Sequence, residues 1–578
     1  MPRLRNINTA FLILCGVWAL FTVFRVTSVT DLELHDHNER LAKLPLSIPY
    51  LNQDRTYVLQ GDLSIRRAYK HQILVSAKDC LREIVIGGHT LYSNYVTSCR
   101  WADSADYISF PLPPDLHPGR YPITVRVDLA YKVGYIDILV RDYFGEATLF
   151  VFLLAVIWHT VIRKSHLSLT EITLGHFAVI VAITYWESTS PWSRQNDSFP
   201  GHAENIELII KFLKIPGLFD SWETYQPPLN YVLASLWVHG MGIITHLDSY
   251  RLMQGFGTLS YVGACWFAIF YSRKFTASAN QSILLLLLYI FIPIHFFQAA
   301  AINNDAMAAL VGMLIFLCAK EATADMRRLR TSLLFGISAA LGVMIKNSML
   351  AMAAASLCYF AVCAAKNLGM IRQAIYAIVL AAMPCTLWMG YWILISYAQT
   401  GKLLYVNSTL PDSLYVGNSL SRFFSFDLSM LLRPVSFYDS DITQSFPTAL
   451  YVGAFSGDYS FWYLTEDPFL YARALFFPFI VLGVVGIYIS LRQRQLLAPL
   501  LFVSHGLFML LYGIVNPYSC NQNARLWLPV LFAGLFLISV GAEHLSRKGQ
   551  RTKMLVNSLV IVLLIFLARG YLQLLFII

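Results

Sequence analysis

Charge is scarce in this sequence: Asp, Glu, Lys and Arg together make up 13% of the 578 residues. A soluble domain carries about twice that fraction, so the composition excludes an ordinary soluble protein. Hydrophobic residues account for 57% of the chain and its mean hydropathy is +0.55. Apolar runs of about 17–25 residues, the length of a bilayer-spanning helix, recur from end to end. The net charge of +9 is spread over short loops, where it indicates topology and not nucleic-acid binding.

Motifs of several enzyme classes are also absent. No P-loop, HExxH, GxSxG or dinucleotide-binding GxGxxG occurs in its required context, so nothing indicates ATP hydrolysis or a metalloprotease. The nine cysteines form no CxxC pair and no zinc-ligand spacing. Seven lie in or beside apolar runs and are interpreted as small core side chains. Cys80 and Cys99 share a polar segment; a disulfide between them requires an oxidising compartment, and whether they are bridged stays open.

The sequence predicts a β-rich part followed by a helical membrane part. Residues 1–27 predict an uncleaved anchor helix, because no small-residue cleavage site follows the basic start and apolar core. Residues 28–145 are polar and alternate with period two, as in "YPITVRVDLAY", which predicts strands and a small extracytoplasmic β-sandwich. The remaining predicted regions are a second helix with a cytoplasmic turn (146–167), a membrane core (168–398) containing an outer loop (188–228), a second outer loop (399–469) and C-terminal helices (470–578).

The predicted topology has about 13–15 spans, with basic loops on the cytoplasmic side. The number of crossings between residues 188 and 272 stays open. Two helices are predicted there, at 229–246 and 252–271, whereas an outer loop before them and the basic cytoplasmic segment 272–274 after them require an odd number. Either one of the two helices does not span fully or two basic loops break the rule.

The outer loop contains the first candidate site. Its segment "RQNDSFPGHAENIE" places Asp197, His202 and Glu204 within eight residues, and an amphipathic stretch predicted to lie along the membrane surface follows. Charge beside the bilayer is costly unless it is used or solvated. The alternative is a solvated loop in which Asp197 or Glu204 caps the next helix. The motif "YQPPLNY" then predicts an extended entry into a helix, because two prolines fix the backbone.

Four further polar groups interrupt apolar or aromatic stretches. Asn303–Asp305 in "AINNDAM" exceed what a helix cap requires. Lys346 in "GVMIKNSML" should pair with an acid or an anionic ligand, unless it snorkels to an interface. Asp458, among aromatic residues, predicts a sugar platform or an interfacial belt. Arg525 in "NQNARLWLPVL" predicts a phosphate site or marks the headgroup zone.

In order and spacing, these segments resemble the GT-C superfamily of membrane glycosyltransferases over roughly residues 168–543. "NDSFPGHAENIE…ETYQPPLNY", "INNDAMAAL", "LGVMIKNSML" and "ARLWLPVL" are similar to landmarks of bacterial protein mannosyltransferases and of the aminoarabinose transferases that modify lipid A. The resemblance implies a GT-C-like polytopic fold. It also implies transfer of a sugar from a polyprenyl-phosphate carrier to an acceptor outside the cytoplasmic membrane.

The resemblance also implies roles for individual residues. Asp197 matches the catalytic base, and Glu204 and His202 are further catalytic candidates. Lys346 and Arg525 match the residues that hold the carrier phosphate. The other predicted substrate-binding residues are Tyr225, Gln226, Asn304, Asp305 and Asp458. Many relatives carry adjacent Asp-Glu where this chain has Asn-Asp-Ser, so metal dependence stays open, and a divalent metal ion is the one candidate cofactor.

The implied enzyme would act in the inner membrane with its active site facing the periplasm. Its partners would be the lipid-linked donor, membrane lipids and a protein (such as pilin), lipid or envelope-glycan acceptor, with no nucleic acid. The appended β-rich part is predicted to bind acceptor or glycan. One alternative is a transporter or flippase of lipid-linked glycans, which would favour internal repeats. Another is a non-catalytic envelope scaffold, which would leave Asp197, Lys346 and Arg525 unrelated in space.

Overall fold

The computed structural model divides the chain into two compact units, residues 1–196 with residue 578, and residues 197–577. The residues that the structure describes are 28–36, 39–43, 46–48, 55–65, 72–77, 80–93, 108–111, 119–129, 134–141, 167–188, 201–221, 223–244, 249–366, 371–403, 415–431, 445–456 and 468–577.

Antiparallel strands fill the first unit up to residue 141. They are β1 (Ser28–Asp36), β2 (Glu39–Lys43), β3 (Leu46–Ile48), β4 (Arg55–Ile65), β5 (Gln72–Ala77), β6 (Cys80–Ile86), β7 (His89–Ser93), β8 (Ile108–Pro111), β9 (Gly119–Leu129) and β10 (Gly134–Arg141). One sheet has the order β2-β1-β4-β9-β6-β7 and the other β3-β10-β5-β8.

The period-two pattern of β9 explains its place at the centre of the larger sheet. Ile123 and Val125 are fully buried, whereas Arg126 is exposed and pairs across the strands with Glu83 at 3.4 Å. Alternate side chains of a strand point to opposite faces, so such a pattern buries one face and leaves the other polar. Strands therefore occur where alternation predicts them. The packing of the two sheets as a sandwich stays a prediction.

Helices form the remainder of the described chain. They are α1 (Leu169–Ser188) in the first unit and, in the second, α2 (His202–Phe212), α3 (Leu229–Ile244), α4 (Ser249–Phe275), α5 (Ala279–Phe291), α6 (Pro293–Phe297), α7 (Asp305–Ala324), α8 (Leu329–Ile345), α9 (Met349–Ala365), α10 (Ile371–Thr400), α11 (Leu420–Phe424), α12 (Phe446–Ser456), α13 (Leu470–Arg492), α14 (Leu497–Val515), α15 (Leu531–Arg547) and α16 (Gln550–Ile577). A 3₁₀ segment, Ala524–Val530, leads into α15.

Six helical segments of the described chain are long and apolar enough to cross a membrane, or seven if the pair α5 and α6, bent by 49°, forms one broken span. Four shorter apolar helices accompany them. This confirms the prediction of a multi-pass helical membrane protein. The predicted helices at 10–27 and 147–162 lie outside the described residues, so the total of about 13–15 spans stays a prediction.

Two predicted elements differ from those observed. Residues 399–469, predicted as a polar loop, contain α11 and α12; α12 forms because Ala449, Val452 and Phe455 recur at helical spacing and are buried. Within the predicted membrane core, the apolar run 282–301 is broken after Phe291, because Pro293 cannot continue the hydrogen-bond ladder of α5.

Glycines allow helix backbones in the second unit to touch. A Cβ on Gly486 of α13 would lie 1.8 Å from the Leu537 carbonyl oxygen of α15, and a Cβ on Gly541 would lie 1.9 Å from that of Leu482. A Cβ on Gly312 of α7 would lie 2.0 Å from the carbonyl oxygen of Pro529 in the 3₁₀ segment. In a bilayer, where lipid offers no hydrophobic drive for helix association, such close approach is a main source of packing energy.

We expect Gly486→Ala to lower the thermal unfolding midpoint in detergent, because the added methyl must separate α13 from α15. Overpacking of this kind costs about 1–3 kcal/mol. Gly390→Ala is the matched control, since a Cβ at Gly390 of α10 meets nothing within 4 Å and alanine is the better helix former. Equal unfolding midpoints for the two variants would contradict the close approach.

Candidate functional site

A buried break between α6 and α7, which begins with a 3₁₀ turn (Gln298–Ala300) and continues to residue 304, positions the candidate site. Backbone carbonyls freed by such a break must be satisfied inside the protein at membrane depth. One face of α4 supplies the donors: Gln254 Nε2 donates to the Ala300 carbonyl at 3.0 Å, and Thr258 Oγ1 donates to the Ala299 carbonyl at 2.6 Å. The break is therefore stabilised by side chains and not left unsatisfied.

Asp305 follows this segment at the first position of α7 and is 1% exposed. Its backbone N–H donates to Asn303 Oδ1 at 2.9 Å. Its carboxylate pairs with Lys346 Nζ through one oxygen, and its other oxygen lies 3.9 Å from Arg525 Nε. One buried carboxylate thus lies beside two cationic side chains.

Lys346 occupies the break between α8 and α9. Both helices have 17 residues, and Lys346 between them has an extended backbone with φ −152° and ψ 133°. Asn304 Nδ2 donates to the Ile345 carbonyl at 3.1 Å, which ties this break to the start of α7. The ion pair with Asp305 supports the predicted pairing with an acid and not the snorkelling alternative, because Lys346 is only 5% exposed.

Arg525 belongs to the 3₁₀ segment Ala524–Val530. Asn523 caps that segment, its Oδ1 accepting from the Arg525 N–H at 2.9 Å. Pro529 of the same segment lies against Gly312 of α7, and the Arg525 guanidinium lies near Asp305 at the start of that helix.

The "YQPPLNY" motif packs against the same junction. Asn347 Nδ2 donates to the Tyr225 carbonyl at 3.4 Å, and Gln226 Nε2 donates to the Tyr225 hydroxyl at 3.2 Å. Asn230 Nδ2 donates to the Asn303 carbonyl at 3.3 Å. Burial raises the pKa of Tyr225 well above its usual range, and the nearby Glu223 raises it further. Tyr225 therefore stays protonated and keeps a hydroxyl that can donate.

Several acceptors around this junction are buried but accept no hydrogen bond. They are Oε2 of Glu223, Oε1 of Gln226, Oδ1 of Asn230 and Oδ1 of Asn304. Buried polar atoms in native proteins are nearly always hydrogen-bonded, so each such group requires an explanation. A ligand rich in O–H donors would satisfy them, and a sugar ring is such a ligand.

His202 and Glu204 lie in the first turn of α2, beside the junction. His202 Nδ1 is 2.7 Å from the Tyr231 hydroxyl, and Tyr231 is within electrostatic range of Asp305. Glu204 Oε2 accepts from Ser221 Oγ at 2.7 Å. The N-cap residue of α2 is Gly201 and Glu204 lies in its first turn, so Glu204 is not the helix cap that the alternative of a solvated loop offered.

The amphipathic stretch gives a shorter helix than predicted. α2 ends at Phe212 because Leu213 adopts a left-handed backbone with φ 50°. Its location along a membrane surface stays a prediction.

The structure brings together five of the predicted residues: Tyr225, Asn304, Asp305, Lys346 and Arg525. Gln226 adjoins Tyr225. Asp197 and Asp458, and the Cys99 side of the predicted disulfide, lie outside the described residues.

Sequence reasoning passed over Glu223, Asn230, Gln254 and Thr258. Glu223 and Asn230 stand within the quoted "ETYQPPLNY", but nothing in the letters distinguishes a buried polar side chain from a solvated one.

Within the described residues, no three His, Cys, Asp or Glu side chains come together to hold an ion. Asp197, beside which a metal would be expected, lies outside those residues, so a divalent metal ion stays a prediction.

Two solved structures resemble this chain weakly. The archaeal oligosaccharyltransferase AglB from Archaeoglobus fulgidus, in complex with an inhibitory peptide and a dolichol-phosphate, is 13% identical with a TM-score of 0.34 over 70% of this chain and 55% of its own. The arabinosyltransferase EmbB from Mycobacterium smegmatis is 10% identical with a TM-score of 0.33 over 94% and 53%.

The chain thus spans about half the length of either protein. No family model and no curated protein matches the sequence. At these TM-scores, the functional assignment depends on the residues of the site itself.

We expect Thr258→Val to destabilise the protein by about 1–3 kcal/mol, because it leaves the buried Ala299 carbonyl unsatisfied. The matched control is Thr386→Val: Thr386 is exposed, and its hydroxyl bonds only the Ala382 carbonyl of its own helix. Unfolding midpoints in detergent measure both. A control that loses as much stability as Thr258→Val would show that the hydroxyl at 258 does not support the break.

We also expect Asp305→Asn to cost about 3–5 kcal/mol, because it leaves buried Lys346 without its counter-charge. Asp325→Asn, which breaks an exposed pair with Arg328, should cost no more than about 1 kcal/mol. The double variant Asp305→Leu with Lys346→Met should recover part of the loss. Additive losses in this thermal-unfolding cycle would mean that the two side chains do not interact.

Proposed function

We propose that the chain is a GT-C-type glycosyltransferase that transfers a sugar from a polyprenyl-phosphate carrier to an acceptor. The observation that carries this proposal is that two cationic side chains and several buried acceptors without donors lie at one junction. Lys346 and Arg525 meet at one buried carboxylate, and two adjacent cationic side chains are the kind of group that binds phosphate. Around them, buried acceptors lack donors, and the hydroxyl groups of a sugar can donate to these acceptors. A sugar phosphate therefore provides both an anion for the two cations and donors for the acceptors.

In the proposed reaction, Lys346 and Arg525 bind the carrier phosphate, and Asp305 orients them until it arrives. The acceptor oxygen attacks the anomeric carbon, and the bond from that carbon to the phosphate oxygen breaks with its electron pair leaving on the phosphate. The two cations stabilise the negative charge that develops there. Asp197 takes the proton of the acceptor hydroxyl, as the resemblance implies. The neutral Tyr225 hydroxyl, which is hydrogen-bonded to Glu223, is placed to contact the donor or its sugar.

We further propose that the reaction takes place at the outer face of the inner membrane, with a protein, lipid or envelope glycan as acceptor. A scaffold role would leave the cationic residues unrelated. The contact of Lys346 and Arg525 with one carboxylate supports a shared ligand instead.

We expect Lys346→Met to weaken binding of a polyprenyl phosphate at least about tenfold, since one charge-assisted contact to phosphate contributes about 1.5–3 kcal/mol. Lys274→Met is the matched control, because Lys274 forms an exposed pair with Glu321 at 3.2 Å away from the junction. Binding would be measured on the full chain in detergent or vesicles. An unchanged affinity of Lys346→Met for the polyprenyl phosphate would contradict the proposed carrier site.

Asp197→Asn tests the proposed base. Transfer in membranes should fall by two or more orders of magnitude, the usual contribution of a general base, while carrier binding is retained. Mass spectrometry of envelope glycans and glycoproteins, with and without the gene, identifies the sugar and acceptor. Intact transfer in Asp197→Asn would exclude Asp197 as the base.

A further inference from the structure

Arg422 of α11 is a fully buried arginine outside the junction described above; its side chain is 0% exposed. Its Nε donates to Gln522 Oε1 at 3.4 Å, and its Nη1 donates to the Gly417 carbonyl at 2.5 Å and to Asn418 Oδ1 at 3.5 Å. Its guanidinium carbon lies 4.8 Å from the centre of the Phe423 ring. All of these partners are neutral, so none balances the charge.

The remaining nitrogen of this guanidinium has no partner. Arg422 Nη2 is buried and donates no hydrogen bond, and no carboxylate of the described residues pairs with the side chain. Burial lowers the pKa of Arg422 only to about 10, so it keeps its positive charge at neutral pH. A buried, charged donor with no counter-ion is costly unless an anion binds it.

The local structure fixes this guanidinium close to the 3₁₀ segment that carries Arg525. The Val416 N–H donates to the Pro517 carbonyl at 2.9 Å, and Asn418 Nδ2 donates to the Ile514 carbonyl at 2.7 Å, so the chain before α11 is attached to the end of α14. Gln522, the partner of Arg422 Nε, directly precedes Asn523, which caps the backbone of Arg525. Arg422 therefore contacts residue 522, three positions before Arg525 on the same short stretch of chain.

We propose that Arg422 binds a second oxyanion of the substrates, a phosphate or carboxylate distinct from the carrier phosphate at Lys346 and Arg525. Three of its donors are already engaged in holding the guanidinium plane, which leaves the Nη2 edge preorganised for one oxyanion oxygen. The anion comes either from the carrier, as the second phosphate of a diphosphate, or from an acidic sugar or acceptor. This inference rests on the proposed function for the identity of the substrates, but not for the existence of the anion site.

The test compares the purified full chain with Arg422→Gln and Arg422→Lys, by thermal stabilisation and by direct binding in detergent. The probes are farnesyl phosphate, farnesyl diphosphate, and galacturonate with and without farnesyl phosphate. If the carrier supplies the anion, the native chain binds the diphosphate at least about tenfold more tightly than the monophosphate, and Arg422→Gln removes that preference. If an acidic sugar supplies it, galacturonate stabilises the native chain and not Arg422→Gln.

Arg422→Lys keeps the positive charge but lacks the planar guanidinium, so it should retain part of the diphosphate preference or of the galacturonate stabilisation. This variant keeps the test informative if Arg422→Gln folds poorly. Arg372→Gln is the matched control, since Arg372 lies exposed on α10 with Tyr376 as its neighbour. The inference is overturned if the native chain and both Arg422 variants respond equally to all three anions. Absence of farnesyl phosphate binding, with an Arg422-dependent response to diphosphate or galacturonate, would instead reject the proposed function and keep the anion site.

Discussion

The buried ion pair between Lys346 and Asp305 is the constraint on which the arrangement of the second unit depends. A lysine that is 5% exposed is costly to bury unless an acid lies beside it. That acid stands at the first position of α7, where the helix dipole favours a negative charge. Such a start requires the chain to be non-helical just before it, and the freed carbonyls then require donors from α4. The break before α7 and the polar residues of α4 that satisfy its carbonyls thus both accompany the burial of the Lys346 charge.

The candidate site has two properties that together support the ligand that we propose. Two adjacent cationic side chains suit an anion such as phosphate. Buried acceptors without donors suit a ligand with several hydroxyl groups. Both occur around Asp305, and a sugar phosphate is the proposed ligand because it has both kinds of group.

The sequence predicted the fold class and the residues at the junction, but not their partners. Lys346 and Asp305 could be singled out because charge inside an apolar run is costly and rare. Their contact could not be predicted, because 41 positions separate them and neither local propensity nor periodicity reaches so far. Glu223 and Arg422 could not be singled out for the opposite reason. Both lie in polar stretches, where charged residues are expected, and the sequence does not show that their side chains are buried. Helix α12 was missed because its eleven residues are bounded by polar loop segments.

The contact between Gly312 and Pro529 has a mechanical consequence for the cation pair. Gly312 follows Asp305 by seven residues, two turns along the same face of α7, and Pro529 follows Arg525 by four. α7 and the 3₁₀ segment therefore meet at two points, an ion pair near the end and a backbone contact below it. The backbone that carries Arg525 is therefore held against α7 by a backbone contact as well as by the ion pair. In the proposed reaction, Arg525 then reaches the carrier phosphate by turning its side chain and not by moving its backbone.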